Sequence, residues 1–304
     1  MPRPSLLLAA LSAATTALAH SHLAHILING ALYHGFDPRP DKSNPPHRVA
    51  WTTSNLDDGY VPSSSYTHPD IACHISGTSV PAHAPVRPGD IIHVQWNGWP
   101  RDHQAPLLSY LAPCVGTSDG CASVDKAALA WTKIDDSAPV VVDQRAGAPG
   151  TWSSHVMIAR NNSWGVRVPR GTPGGAYVLR HEAIALHFAK DVGSAQSYPL
   201  CMNLWVDADE GGRTGGQRVP GLDLEGGVVA TELYGAEDPG ILIDVFKVLT
   251  KTYAVPGPTL ARGAEPVPHS EQIMSMSRTE GVPVRVVGTG TVPWVESTAR
   301  VFSG

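Results

Sequence analysis

Ile91-Ile92-His93-Val94-Gln95-Trp96 runs straight into Asn97-Gly98. Ile92, Val94 and Trp96 share one face of an extended chain. That two-residue period predicts a half-buried β-strand, and Asn-Gly is a turn signal that ends it. The same pattern recurs on both sides. His25-Ile26-Leu27-Ile28 closes on Asn29-Gly30, and Leu200, Met202, Leu204 and Val206 alternate again. Trp164 to Val168 is a further strand. Val178 to Phe188 reads as strand or helix, because its Ala and Leu residues also suit a helix.

One helix is predicted from Asp238-Pro239-Gly240, with Asp as cap and Pro in the first turn. Leu242, Val245, Phe246 and Leu249 follow at helical spacing. Residues 36–70, rich in Pro, Ser, Asp and Asn, form a long loop. From 259 to 304 there is no cysteine and little periodicity apart from a short strand at Val284–Val287, so a loosely ordered extension is expected. Many strands with turn signals and few helices give an all-β class. The expected architecture is an immunoglobulin- or fibronectin-like antiparallel β-sandwich with long loops and a few short helices.

Composition agrees: the 304 residues include 30 Gly and 27 Pro, and only 16% are charged. The net charge is −5 and no basic run occurs, which argues against nucleic acid as a partner. No stretch of the chain beyond its start has the length and apolarity of a membrane-spanning helix, so no membrane partner is expected. The first residues carry Arg3, then an apolar run from Leu6 to Leu11, then Ala17-Leu18-Ala19. This is the pattern of a secretory signal over residues 1–19, and it predicts an extracellular protein. In that compartment Cys73, Cys114, Cys121 and Cys201 are expected to form two disulfides. The short step from Cys114 to Cys121 suits a local clip, which leaves Cys73 for Cys201. Asn161-Asn162-Ser163 is a glycosylation sequon.

Cleavage after Ala19 makes His20 the first residue. An N-terminal histidine can chelate one metal ion through its α-amine and its imidazole together. The chain has 14 histidines, so spacing alone selects none of them. His103 stands out by position, in the loop Trp99-Pro100-Arg101-Asp102-His103-Gln104-Ala105-Pro106 just past the alternating strand.

Four ordered segments resemble one family. They are His20-Ser21-His22-Leu23 with Ile26 to Gly30, and Trp99-Pro100 through His103, Pro106-Leu107 and Tyr110 to Cys114. Arg180-His181-Glu182-Ala183-Ile184-Ala185-Leu186-His187 follows, continuing through Ala195-Gln196-Ser197-Tyr198-Pro199-Leu200-Cys201. The last is Asp238 to Leu242, ending in Tyr253 to Pro258. Together they resemble the fungal lytic polysaccharide monooxygenases of auxiliary activity family nine, over residues 20–258.

The resemblance implies a secreted, copper-dependent oxidoreductase that cleaves cellulose or a related β-1,4-glucan oxidatively at C1, C4 or both. It would use O2 or H2O2 and an external donor, either a small reductant or a secreted dehydrogenase. One copper per chain would be held by His20, through amine and imidazole, and by His103, with Tyr198 at the axial position. His187 and Gln196 would stand behind the metal with Tyr198 as the catalytic set. His187 is chosen over His181 because its nine-residue step to Gln196 matches the family. Tyr253 is the first candidate for stacking on sugar rings, with Tyr33 and Phe36 weaker. A monomer is expected. The family usually has Gly at Ala105 and Ser194 and often Gln at Leu200, departures that bear on substrate range and rate. Two other classes stay open: a non-catalytic copper- or polysaccharide-binding protein of this fold, and a hydrolase using Glu182 and Asp207.

Overall fold

The computed structural model describes residues 21–136, 143–207, 213–214, 217–218, 221–249, 252–274 and 279–294. Ten strands carry the fold: β1 (Leu23–Ile28), β2 (Ala31–His34), β3 (Val61–Pro62), β4 (Ala82–Val86), β5 (Ile91–Trp96), β6 (Leu107–Pro113), β7 (Ala130–Asp135), β8 (Ser163–Arg167), β9 (Gly175–Ala185) and β10 (Gln196–Val206). Two short helices are α1 (Asp70–Cys73) and α2 (Ser153–Ala159). The small sheet runs Thr279–Glu280, β2, β1, β5, β8. The large sheet runs Val228–Val229, β7, β6, β9, β10, β4, Val284–Val287, Gly290–Pro293, with β3 added to β10. The two sheets form the sandwich. Pairing is antiparallel except for β4 on β10 and Thr279–Glu280 on β2.

The alternating strand behaves as its pattern requires. Ile92, Val94 and Trp96 of β5 enter the inter-sheet core with Ile26, Ile28, Trp164 and Val166. Leu107, Leu111, Leu179, Met202 and Leu204 meet them from the large sheet. Asn29 and Gly30 both have positive φ, 52° and 85°, and join β1 to β2 as a two-residue hairpin.

Val178 to Ala185 resolves as strand, and His187 and Phe188 fall in the turn that follows. The mixed reading has a physical cause, because β9 and β10 are buried on both faces. Odd residues of β9 face the sandwich core. Val178 and Ile184 face a second core with Trp51, Tyr66, Ile71, Trp152, Leu233, Ile241 and Tyr253. A strand covered on both sides loses its polar alternation. The covering layer includes the long loop, which bridges to β10 through Trp51 N to Cys201 O (3.0 Å) and Asn203 N to Val49 O (3.0 Å). Both expected disulfides form, Cys73–Cys201 tying α1 to β10 and Cys114–Cys121 clipping the end of β6.

Two expectations change. Residues 238–249 form turns rather than a helix. The Ile243 N–H goes to Ala189 O (2.8 Å), and Phe246 O accepts from Gly147 N (2.9 Å). Tertiary partners thus take groups that a helical ladder needs. α2 had no prior signal. The extension is also built in where described: Gln272 is buried with its side-chain carbonyl on Gly165 N (2.7 Å), and Val284–Val287 pairs with β4. The expected signal (residues 1–19), His20 and residues 275–278 and 295–304 of the expected tail lie outside the described residues.

In the second core, Arg180 and Glu182 are fully buried and paired at 2.8 Å. Arg180 also donates to Ala72 O (2.9 Å) and Ile71 O (3.0 Å), and the Tyr234 hydroxyl donates to Glu182 (2.6 Å). Removing one partner strands a buried charge, at a cost of about 3–5 kcal/mol. Glu182→Gln is therefore expected to lower unfolding free energy by about 3–5 kcal/mol, measured by denaturant titration.

Candidate metal centre

The loop after β5 is held from several directions. Asn97 ends the strand, and its side-chain oxygen accepts from Ser21 Oγ (2.7 Å) and from His22 N (2.9 Å). Asn97 N donates to His22 O (3.1 Å), and Ser21 Oγ also donates to Gly98 O. The second residue of the family's N-terminal pattern is thus fixed against the turn that leads to His103. His20 itself lies outside the described residues.

His103 is buried, and its carbonyl accepts from Trp99 Nε1 (2.8 Å) and Ser154 Oγ (3.3 Å). The start of α2 clamps the loop further. Ala105 N donates to Ser154 Oγ (3.1 Å), and Ser154 N donates to Ala105 O (3.1 Å). His155 accepts Trp152 N at Nδ1 and donates from Nε2 to Arg101 O, both at 2.9 Å. These helix residues escaped sequence reasoning because α2 has only two turns and no distinctive cap. His103 Nδ1 lies 3.0 Å from Asp102 Oδ1. Desolvation opposes ionisation of Asp102, but this hydrogen bond and the His103 charge outweigh it, and its pKa falls below the ordinary value.

Strand register supplies the other side chains. Gln196 pairs with Ala185, and Tyr198 with Ala183. Cross-strand partners point to one face, and His187 lies two residues past Ala185. His187 accordingly comes to rest against His103, with ring centroids 3.8 Å apart and planes 31° apart. The Tyr198 hydroxyl faces Gln196 Oε1 at 3.3 Å, and Trp99 packs edge-on against both Tyr198 (5.1 Å) and His103 (6.2 Å). Burial pushes the Tyr198 phenol pKa well up, with Tyr60, Asp57 and Asp58 adding to it, so the group stays protonated. His181 is set apart. It is fully buried beside Trp96 with Nδ1 on Ser109 Oγ (3.0 Å), and burial, followed by the Arg180 charge, lowers its pKa to about 3.

Two expected substrate aromatics are misplaced. Tyr253 is buried, its hydroxyl bonded to Gly240 O (2.7 Å) and its ring edge-on to Trp152. Tyr33 is buried in the inter-sheet core, where Gly281 leaves no room above its ring: a Cβ there would lie 2.6 Å from it. Neither ring can lie on an open face. Phe188, which sequence reasoning treated only as a strand end, is 57% exposed and packs on His187 at 4.2 Å. Its signal was a bulky aromatic directly after His187.

Of the departures, Ala105 is not among the positive-φ residues and is buried in the sandwich core, so its methyl group is accommodated. Beside Ser194, Gly193 takes the left-handed turn conformation (φ 82°). Leu200 packs in the inter-sheet core. Asn161 is exposed in the turn between α2 and β8. A two-carboxylate hydrolase is excluded by spacing. Glu182 pairs with Pro199 on β10, and Asp207 lies eight residues further on, about 27 Å along an extended strand. Hydrolase carboxyls stand about 5–9.5 Å apart.

Comparison with known proteins gives one answer. The profile of Auxiliary Activity family 9 (formerly GH61) matches residues 20–253. AA9 family lytic polysaccharide monooxygenase H of Thermothelomyces thermophilus is 41% identical over 96% of this chain and 78% of its own length. AA9 family lytic polysaccharide monooxygenase A of Thermoascus aurantiacus is 42% identical over 80% of this chain and all of its own. Among solved structures, the extended catalytic domain of H. jecorina LPMO9A (EG4) superposes with a TM-score of 0.73, at 39% identity, over 89% of this chain and all of that one. The chain belongs to Auxiliary Activity family 9 and is a copper-dependent lytic polysaccharide monooxygenase, an oxidoreductase that works with O2 or H2O2 and an external reductant.

Proposed function

We propose that this enzyme is secreted, cleaves cellulose or a related β-1,4-glucan at C1, C4 or both, and holds one copper through His20 and His103. The observation that carries this reading is the clamp of Ser21 and His22 onto Asn97 and Gly98, which ties the start of the described chain to the His103 loop. Ser21, the residue that follows His20 in sequence, is held at the turn that leads to His103. The donor set fits copper. His103 faces Asp102 through Nδ1, which makes Nε2 its metal-binding nitrogen, and an acidic partner of this kind fixes ring orientation. Two imidazoles and an amine suit a copper ion with open positions.

Copper, when bound, supplies the one-electron chemistry that activates oxygen or peroxide. The protein groups hold and orient around it. Tyr198 stays a neutral phenol and would stand beside the copper without binding it strongly. Gln196 accepts the Tyr198 hydroxyl with its carbonyl oxygen, and its amide N–H groups remain as donors toward the reacting oxygen. His187, stacked on His103, offers a proton-carrying imidazole at the same place. Phe188 extends the site outward as a stacking surface for a sugar ring. A non-catalytic copper carrier has no use for this set of oxygen-facing groups.

Mass spectrometry of the secreted protein should find His20 as the first residue. Incubation with cellulose, copper, a reductant and peroxide should release oxidised oligosaccharides. His103→Ala should lose them while keeping the native circular dichroism spectrum. Copper uptake without any oxidised product in the unaltered enzyme would rule out the catalytic reading. Phe188→Ala should weaken adsorption to crystalline cellulose about 2- to 10-fold, as expected for a stacking contact of about 0.5–1.5 kcal/mol, with copper binding unchanged.

A further inference from the structure

We infer that His34, His47 and Glu280 form a second metal site, for a divalent transition ion such as zinc, that fastens the C-terminal segment to the small sheet. The three side chains come from three separate parts of the chain, and backbone pairing brings them together. Glu280 pairs with Leu32 in the parallel ladder to β2, and Gly281 N donates to Leu32 O (2.7 Å). Val49 N donates to His34 O (3.2 Å), which holds the His47 loop beside the end of β2. His34 Nε2 lies 2.6 Å from Glu280 Oε1, and His47 Nε2 lies 3.7 Å from the same oxygen. All three ligand atoms fall within 4.8 Å of one another.

Two imidazoles and one carboxylate are a ligand set that zinc takes readily, with water in the remaining position. Ligands about 2.0–2.1 Å from a tetrahedral ion stand about 3.3 Å apart, within the range these atoms already span. Small side-chain rotations close the difference. The site is open enough to admit an ion, with side-chain exposures of 33% for His34, 22% for His47 and 56% for Glu280. It lies on the outer face of the small sheet. Tyr33 and Ile26 pair with each other and point into the core, so His34 and its partner His25 point away from it. None of the three residues belongs to the copper set. Burial, and then His34, lowers the pKa of His25, so this edge adds no fixed positive charge from that residue.

The consequence is a staple. Metal bound here joins β2, the long loop and the Thr279–Glu280 strand, and would stabilise the fold by binding the native state alone. The test is zinc binding to the full-length secreted enzyme after one equivalent of copper(II) has been added, since copper(II) outranks zinc for nitrogen sites. Calorimetry should show one further equivalent of zinc, with a zinc-dependent rise in thermal midpoint. His34→Ala should weaken that binding by more than about 100-fold, beyond the 10–100-fold typical of losing an outer partner. His47→Gln should also lose the zinc-dependent rise, and both variants should keep the native spectrum in chelator. His103→Ala should keep the zinc equivalent, which separates this site from the proposed copper site. No second equivalent in the unaltered enzyme, or equal zinc affinity in His34→Ala, would reduce the cluster to an ion pair and overturn the inference.

Discussion

The site depends first on Asn97. Its side-chain oxygen receives Ser21 and His22, and its backbone N–H returns a bond to His22. The same residue ends β5 and opens the loop that carries His103. One amide therefore couples the Ser21–His22 segment to the loop of His103. A hydrogen bond of this kind contributes about 0.5–1.5 kcal/mol net, but a buried partner left unsatisfied costs more. Holding both segments at one residue also removes conformational freedom before any metal arrives, which favours binding.

The second requirement is a sheet covered on both faces. β9 and β10 are long strands of 11 residues each, packed on the sandwich core on one side and on a loop layer on the other. Packing on both sides fixes their register, and register alone brings His187, Gln196 and Tyr198 to one edge. The buried Arg180–Glu182–Tyr234 network sits on the opposite face of β9 and anchors the loop layer through α1. The network thus lies on β9, while Gln196 and Tyr198 lie on β10 and His187 in the turn that follows β9.

Much of this was legible in the sequence, for identifiable reasons. Where one face meets water or a mixed layer, alternation survives, and β1 and β5 could be read directly. Where both faces are covered, as in β9, the apolar run becomes continuous and strand and helix look alike. The helix expected from Asp238 failed because spacing does not reveal that Ile243 and Phe246 bond elsewhere. Tyr253 and Tyr33 were misread for a related reason. Amphipathic rings suit a sugar face and a core equally, and only the neighbours Trp152 and Gly281 decide. The choice of His187 over His181 rested on family spacing, and the two histidines differ in their surroundings. His181 lies within β9, sealed beside Trp96, while His187 lies in the turn after β9 and rests against His103. The built-in extension was illegible because its contacts, such as Gln272 to Gly165, join residues remote in sequence.

The most direct test of the account is electron paramagnetic resonance of the secreted enzyme loaded with one equivalent of copper(II), compared with His103→Ala. Three nitrogen donors should couple to the copper in the enzyme that begins at His20, and one coupling should vanish in the variant. An identical spectrum in His103→Ala, or three-nitrogen coupling in a protein that does not begin at His20, would contradict it.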